Sequence, residues 1–217
     1  MLFRSRFFFR QLGFAGNVND YHDPHNSYLH CVLATRRGIP ISLALLYTEL
    51  AQQVGLLARG VSFPGHFLVK LRMPRGEVVI DPFSGESLSR DALDERLEPY
   101  RRQQGLVDEF ETPLGLFLQA AEPRDILARL LRNLKSIHRE RADWPRLLSV
   151  QQRLVCLLPL AWDERRDHAL VLAELGRFTE AAYELQAYLE HQPQAGDAES
   201  LRRQLDVWRA SPRPTLH

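Results

Sequence analysis

Cysteine is scarce in this chain: its 217 residues include two, Cys31 and Cys156, which lie far apart. A secreted domain held together by disulfides normally carries more cysteines at closer spacing. The composition therefore favours a protein of a reducing compartment, and we expect it to be cytoplasmic.

Long apolar runs and a surplus of one charge are also lacking. Arginines interrupt the aromatic start of the chain, and no later stretch approaches the roughly 20 consecutive apolar residues of a membrane span. Lys and Arg number 28 against 27 Asp and Glu, which leaves a formal net charge of +1. Because such a chain has no global field for phosphates, we expect neither a membrane segment nor a nucleic-acid partner.

The first half of the chain combines one amphipathic helix with short strands. Apolar residues from Leu43 to Val54 recur at the spacing of one helix face, and Pro40 suits the first turn of that helix. Three β-rich runs follow, at residues 58–63, 66–72 and 78–80, and turn signals containing Pro and Gly separate them. These patterns predict an α+β domain in which the helix packs on a small antiparallel sheet.

The second half is helical and repeats. Pro159 and Pro193 lie 34 residues apart, and the same offset relates Trp144 to Phe178. This is the tetratricopeptide period, in which each unit is a pair of helices. We therefore predict three segments: an α+β domain at 1–112, a connector at 113–125 and all-α helical repeats at 126–210. The plainer interpretation of the last segment is a set of ordinary amphipathic helices.

Three residues have the side chains needed for acyl-transfer chemistry: Ser42, His66 and Asp81. A nucleophile in the first turn of a helix, with His and Asp on neighbouring strands, is the arrangement by which papain-like folds activate an attacking atom. The His would act as base and then acid, and the Asp would fix the imidazole tautomer.

Each of these residues also has a structural interpretation. Ser42 can satisfy backbone groups at a helix N-terminus, His66 can bond beside a tight Pro-Gly turn, and Asp81 can organise the turn that follows it. Cys31 is an alternative, displaced nucleophile, but small cysteines of this kind are usually packing residues.

Histidines cluster early in the chain, at His22, His25 and His30. Pro24 breaks any helical register between them, and no acidic or cysteine set accompanies them at ligand spacing. We therefore expect no metal site and no cofactor.

Residues 13–88 resemble the SirB-type family of transglutaminase-like proteins, which carry a tetratricopeptide tail. The resemblance rests on the segments NSYL (26–29), RGIPISL (37–43), GVSFPGHFL (60–68) and DPF (81–83). It implies a transglutaminase-like, papain-like fold for the first domain, and it extends to the helical tail. Family members usually have a helical segment before the point where this chain begins, so we expect a truncated N-terminal helical part.

The resemblance also bears on chemistry. Active transglutaminase-like enzymes place Cys at the start of this helix, where an ungapped match puts Pro40. Ser42 lies two residues further on, which turns its side chain by roughly 200° around the helix. His66 and Asp81 match the family's His and Asp, so the resemblance implies a degenerate triad of Ser42, His66 and Asp81.

Two functions compete on this basis. We expect a protein-interaction or regulatory adaptor, in which the helical repeats bind a protein or peptide partner and the first domain carries a degenerate site. The alternative is a Ser-His-Asp hydrolase or acyltransferase acting on amide or ester bonds. Hydrogen bonding between Ser42 and His66 would favour the enzyme.

Overall fold

The computed structural model describes residues 6–74, 76–105 and 113–210. The chain forms two compact units, Met1–Leu130 and Leu131–His217. The first contains helices and an antiparallel sheet, and the secondary structure described in the second is all helical, which confirms the predicted fold class. The predicted domain bounds stay a prediction.

The first unit contains short helices and two small sheets. Its α-helices are α1 (Leu29–Thr35), α2 (Pro40–Gln53), α3 (Arg90–Gln103) and α4 (Leu114–Phe117), with a π-helical turn at Phe7–Gln11 and a 3-10 turn at Pro24–Asn26. Its strands are β1 (Ala15–Gly16), β2 (Arg37–Gly38), β3 (Ala58–Val61), β4 (Leu68–Met73), β5 (Gly76–Ile80) and β6 (Ser87–Leu88).

The larger sheet has the order β3-β4-β5-β6, and each neighbouring pair is antiparallel. The three predicted β-rich runs correspond to β3, β4 and β5, so the predicted sheet is confirmed. Strands β1 and β2 form a separate parallel pair.

Both faces of the larger sheet are buried. Successive side chains of a strand point to opposite faces, so each strand contributes residues to two cores. Val69, Leu71 and Ile80 pack in the core that contains helix α2, whereas Leu68 and Val79 pack in the core that contains helix α3. The sheet therefore lies between two helices. This packing fixes the ends of β4 and β5, from which the candidate site is built.

Helix α2 begins where the sequence pattern predicts. Pro40 occupies its first turn, and Gly55, with φ +74°, follows its C-terminal end. Leu43 and Tyr47 are buried in the core. Ser42 is also fully buried, which an amphipathic pattern does not anticipate for a hydroxyl.

The second unit consists of packed helices. These are α6 (Trp144–Leu157), α7 (Trp162–Glu174), α8 (Phe178–His191) and α9 (Ala198–Ala210), preceded by α5 (Pro123–Glu140), within which the division between the two units falls. Gly176, with φ +72°, forms the turn between α7 and α8, and the fully buried Ala181 lets these helices approach closely. No helix in residues 6–74, 76–105 and 113–210 has the length and apolar content needed to cross a membrane.

Candidate functional site

The antiparallel pairing of β4 and β5 brings His66 and Asp81 together. His66 closes the turn before β4, and Asp81 directly follows β5. Because Val69 of β4 is paired with Ile80 of β5, the start of one strand lies beside the end of the other. Nε2 of His66 is 2.9 Å from Oδ1 of Asp81.

Asp81 is held by two further donors. The backbone N–H of Phe83 donates to Oδ1 at 2.9 Å, and Nη1 of Arg96 donates to Oδ2 at 3.0 Å. Burial raises the pKa of this carboxyl group, but the bonds from His66, Phe83 and Arg96 outweigh burial and lower the pKa to about 2. Asp81 is therefore an ionised acceptor at neutral pH.

The ionised carboxylate of Asp81 determines that Nε2 of the His66 imidazole carries a proton. A carboxylate only accepts hydrogen bonds, so Nε2 of His66 carries the proton and donates it to Asp81. In the neutral ring, the lone pair is then on Nδ1. The His66 side chain is 25% exposed, which leaves the ring accessible from solvent.

Ser42 makes its hydrogen bonds elsewhere. Its hydroxyl is 2.6 Å from the carbonyl oxygen of Asn26 and 3.1 Å from that of Ile39, and it accepts from the Ile39 N–H at 3.1 Å. In the part of the chain that the structure describes, His66 is not among the partners of this hydroxyl. The structure therefore brings together two of the three residues of the predicted triad. A catalytic role for them stays a prediction.

The acceptor of the Ser42 hydroxyl belongs to a residue that organises a loop. Nδ2 of Asn26 donates to the carbonyl oxygens of Asp20 at 2.6 Å and Tyr21 at 3.2 Å. The Tyr21 ring lies 5.8 Å from the ring of Phe83, which follows Asp81 closely in the chain. Ser42 thus helps to hold the loop whose tyrosine lies beside Phe83, two residues after Asp81.

Arg129, on α5, braces the turn that carries His66. Its Nη1 donates to Oγ of Ser62 at 2.7 Å and its Nη2 to the backbone oxygen of His66 at 2.9 Å. Its guanidinium also lies over the ring of Phe67, 5.5 Å from the centroid. Sequence reasoning missed Arg129, because its partner lies 63 residues away and no local spacing marks such a contact.

Cys31 and His25 each have a polar partner that lies close by in the sequence. Sγ of Cys31 is 3.2 Å from Nε2 of the neighbouring His30, and Nδ1 of His25 is 2.7 Å from Asp23. Among the described residues, no group of three or more His, Cys, Asp or Glu side chains is arranged to hold a metal ion.

The second unit has a groove of about 460 Å³. Its apolar lining includes Trp144, Leu170 and Leu201, and its charged lining consists of Arg139, Arg166, Asp167, Glu174 and Asp197. A cavity of this size accommodates one or two side chains of a ligand.

A network of charges around the buried Glu164 is joined to the groove through Lys135, which also lies 2.6 Å from Asp167 of the lining. Glu164 accepts hydrogen bonds from Arg132 at 2.8 Å, Lys135 at 2.5 Å and Gln151 at 2.9 Å. Burial raises the pKa of Glu164, but these donors outweigh it and lower the pKa. The charge of the buried Glu164 is therefore paired, as a buried carboxylate requires.

Two family models match the chain. Residues 4–132 match the transglutaminase-like superfamily, and residues 134–206 match the tetratricopeptide repeat. A UPF0162 protein of Xylella fastidiosa (strain Temecula1 / ATCC 700964) is 38% identical over 202 residues, which are 93% of this chain and 71% of the relative. A UPF0162 protein of Vibrio cholerae serotype O1 is 29% identical over 214 residues, 98% of this chain and 77% of the relative.

A similarity over part of the chain links it to a larger protein. F-box only protein 21 of Homo sapiens is 35% identical over 132 residues, which are 58% of this chain but 20% of that protein. No solved structure matches the chain significantly.

Proposed function

The chain belongs to the transglutaminase-like superfamily and to the UPF0162 proteins, and we propose that it is a non-catalytic adaptor. In this proposal the helical repeats bind a protein or peptide partner, and the His66–Asp81 pair is the remnant of a catalytic site that lacks a nucleophile.

The observation that carries the proposal is the bonding of Ser42. Its oxygen is fully buried and bonded to backbone groups of Asn26 and Ile39. A nucleophilic serine needs its hydroxyl directed at a base, and it needs space for the reacting carbonyl. Ser42 is better suited to hold the start of α2 against the loop that contains Asn26.

Pro40 supports the same conclusion. It is buried in the first turn of α2, the position at which the resemblance to active transglutaminase-like enzymes places their Cys. Its ring has no atom that can attack a carbonyl. The retained His66–Asp81 pair would therefore have a base but no side-chain nucleophile in this helix.

One observation favours the alternative of a Ser-His-Asp hydrolase or acyltransferase. The imidazole is held by an ionised aspartate, and the neutral ring then has its lone pair on Nδ1. This alternative requires the Ser42 hydroxyl to leave its partners, and each buried group left without a partner costs roughly 1–3 kcal/mol. That cost favours the adaptor.

The second unit supports the part of the proposal that concerns binding of a partner. Its groove combines apolar side chains with charged groups, a mixture that gives a peptide both contact area and orientation. Leu170 is a half-buried residue of this lining, whereas Leu160 is 84% exposed and lies outside it. These two leucines provide a test variant and a matched control.

The test is selection of a displayed library of random heptapeptides on the full chain. We expect retained peptides to bind the wild type and Leu160→Arg equally and to lose binding to Leu170→Arg. Circular dichroism melts of both variants check that they remain folded. The adaptor would be contradicted if no peptide is retained, or if the retained peptides bind Leu170→Arg as well as they bind Leu160→Arg.

A further inference from the structure

The charged groups that line the groove of the second unit are not all paired. Nη2 of Arg139 donates to Oδ2 of Asp167 at 2.8 Å. Arg166 donates to Oδ1 of Asp167 at 3.1 Å and to Oδ2 of Asp197 at 3.0 Å. Two of the three carboxylates in the lining are therefore already neutralised by the two guanidinium groups beside them.

Glu174 is the third carboxylate, and it differs from the other two. It is exposed, and within residues 113–210 of the described chain its side chain accepts no hydrogen bond and forms no ion pair. Arg177, the cation nearest to it in sequence, donates to both oxygens of Glu180 instead, at 2.7 and 2.6 Å. Glu174 thus offers a free negative charge to a ligand in the groove.

The position of Glu174 in its helix adds to that charge. It is the last residue of α7, a helix of 13 residues. The C-terminal end of a helix carries a partial negative charge from its aligned peptide dipoles, and cations are favoured there. The carboxylate of Glu174 and the end of the helix therefore both favour a cation at this position.

The apolar part of the lining suits the stem of a long basic side chain. Trp144 and Leu170 are both half-buried, so each presents apolar surface to the groove. Lys and Arg lay their methylene stems along such surfaces while the charged head stays near a polar group. An indole face also attracts cations.

We propose that this groove binds one Lys or Arg side chain of an extended partner peptide, with its stem against Trp144 and Leu170 and its charged head at Glu174. The inference rests on the proposed adaptor function and names the chemistry of the partner.

An acidic side chain fits the groove less well. To reach the cations, it would compete with Asp167, which is already shared by Arg139, Arg166 and Lys135, the last at 2.6 Å. An acidic ligand would have to displace Asp167 from its three cations, whereas a basic ligand can pair with the free carboxylate of Glu174 at a lower cost in free energy. The lining is otherwise balanced in charge, so one basic residue is expected rather than a polybasic run.

The heptapeptides retained by the full chain provide the first measurement. We expect Lys or Arg to be enriched at one position, next to an apolar residue. Replacement of that Lys by Gln in a synthetic peptide should weaken binding about fivefold at low salt, the effect of one partly exposed ion pair. Enrichment of Asp or Glu at that position would overturn the inference.

Variants of Glu174 provide the second measurement. Glu174→Gln should weaken the Lys peptide about fivefold, and Glu174→Lys should reverse the preference toward the same peptide with Glu in place of Lys. Glu199→Gln, an exposed change in the first turn of α9, is the control and should leave affinity unchanged.

The failure of this inference can be told apart from failure of the adaptor function. Peptides that depend on Leu170 but bind Glu174→Gln as well as the wild type would support the adaptor and overturn the basic partner. Peptides that bind Leu170→Arg as well as the wild type would overturn both.

Discussion

Nε2 of His66 lies 2.9 Å from Oδ1 of Asp81, at the end of the two central strands where β4 begins and β5 ends. The same carboxylate accepts from Arg96 and from the backbone of Phe83. The pair therefore joins two strands, a helix and a turn. Its geometry would suit catalysis, but it also contributes to folding, and the two roles predict different effects of mutation.

The first prediction concerns Asp81 and pH. Its folded-state pKa of about 2 lies below the ordinary value of 3.8. A carboxyl with a lowered folded-state pKa adds stability that is complete well above pH 4 and is lost as pH falls toward 2. The difference corresponds to about 2 kcal/mol at neutral pH, so Asp81→Asn should lose roughly that amount.

Urea unfolding at pH 7 and pH 3, followed by circular dichroism, checks this. The variant should be less stable at pH 7 and should lose less stability between the two pH values than the wild type. Asp91→Asn, an exposed change in α3, is the control. Equal pH dependence in the wild type and Asp81→Asn would show that the carboxylate is not held as described.

The second prediction concerns Ser42. Ser42→Ala removes the donor to the Asn26 carbonyl and the acceptor for the Ile39 N–H, both in a buried site. Two groups left unpaired should destabilise the first unit by about 2 kcal/mol. Ser84→Ala, an exposed change, should have little effect. Unfolding midpoints that coincide for Ser42→Ala and the wild type would refute the structural role.

The third prediction concerns Arg129. Arg129→Met keeps much of the apolar stem but removes the bonds to Ser62 and to the His66 backbone oxygen. The turn at residues 62–66 should then open more often, and its amides should exchange faster with deuterium. Arg124→Met, an exposed change on the same helix, is the control. Unchanged exchange at this turn would mean that Arg129 does not brace it.

The fourth prediction concerns His168 on α7. Among the described residues, neither nitrogen of its buried ring has a hydrogen-bond partner. Burial lowers the pKa of His168, and its charged neighbours do not reverse this direction. Because the unfolded chain binds a proton near pH 6.5 while the folded chain resists it, stability should fall as pH drops below 6.5.

All three tryptophans lie in the second unit, so their fluorescence reports its unfolding. His168→Leu should reduce the loss of stability between pH 7.5 and pH 5.5. Tyr183→Leu changes an exposed aromatic residue of α8 and should retain the wild-type loss. The same loss in His168→Leu as in the wild type would contradict a neutral, buried imidazole.

Local patterns accounted for most of the fold. The apolar spacing after Pro40 predicted α2, and the 34-residue offset between Pro159 and Pro193 predicted the paired helices of the second unit. Each of these signals reflects a steric requirement that repeats along the chain. Such requirements can be recognised without knowing which distant residues meet.

The bonding of the site was less predictable. His66 and Asp81 were expected to be neighbours because turns placed them on adjacent strands. The partner of Ser42, by contrast, is a backbone oxygen 16 residues upstream, and backbone oxygens carry no residue-specific signal. Arg129 also bonds a backbone oxygen, which the sequence does not mark. In addition, charged residues on a helix are normally solvated, so nothing singled it out.

Labelling with an active-site-directed fluorophosphonate probe, read out by mass spectrometry of the intact protein and its peptides, tests the central claim most directly. A buried serine bonded to Asn26 and Ile39 has no activated oxygen, so we expect no adduct at Ser42 in the folded chain. Stoichiometric labelling of Ser42 that disappears in His66→Ala would contradict the adaptor and establish a catalytic serine.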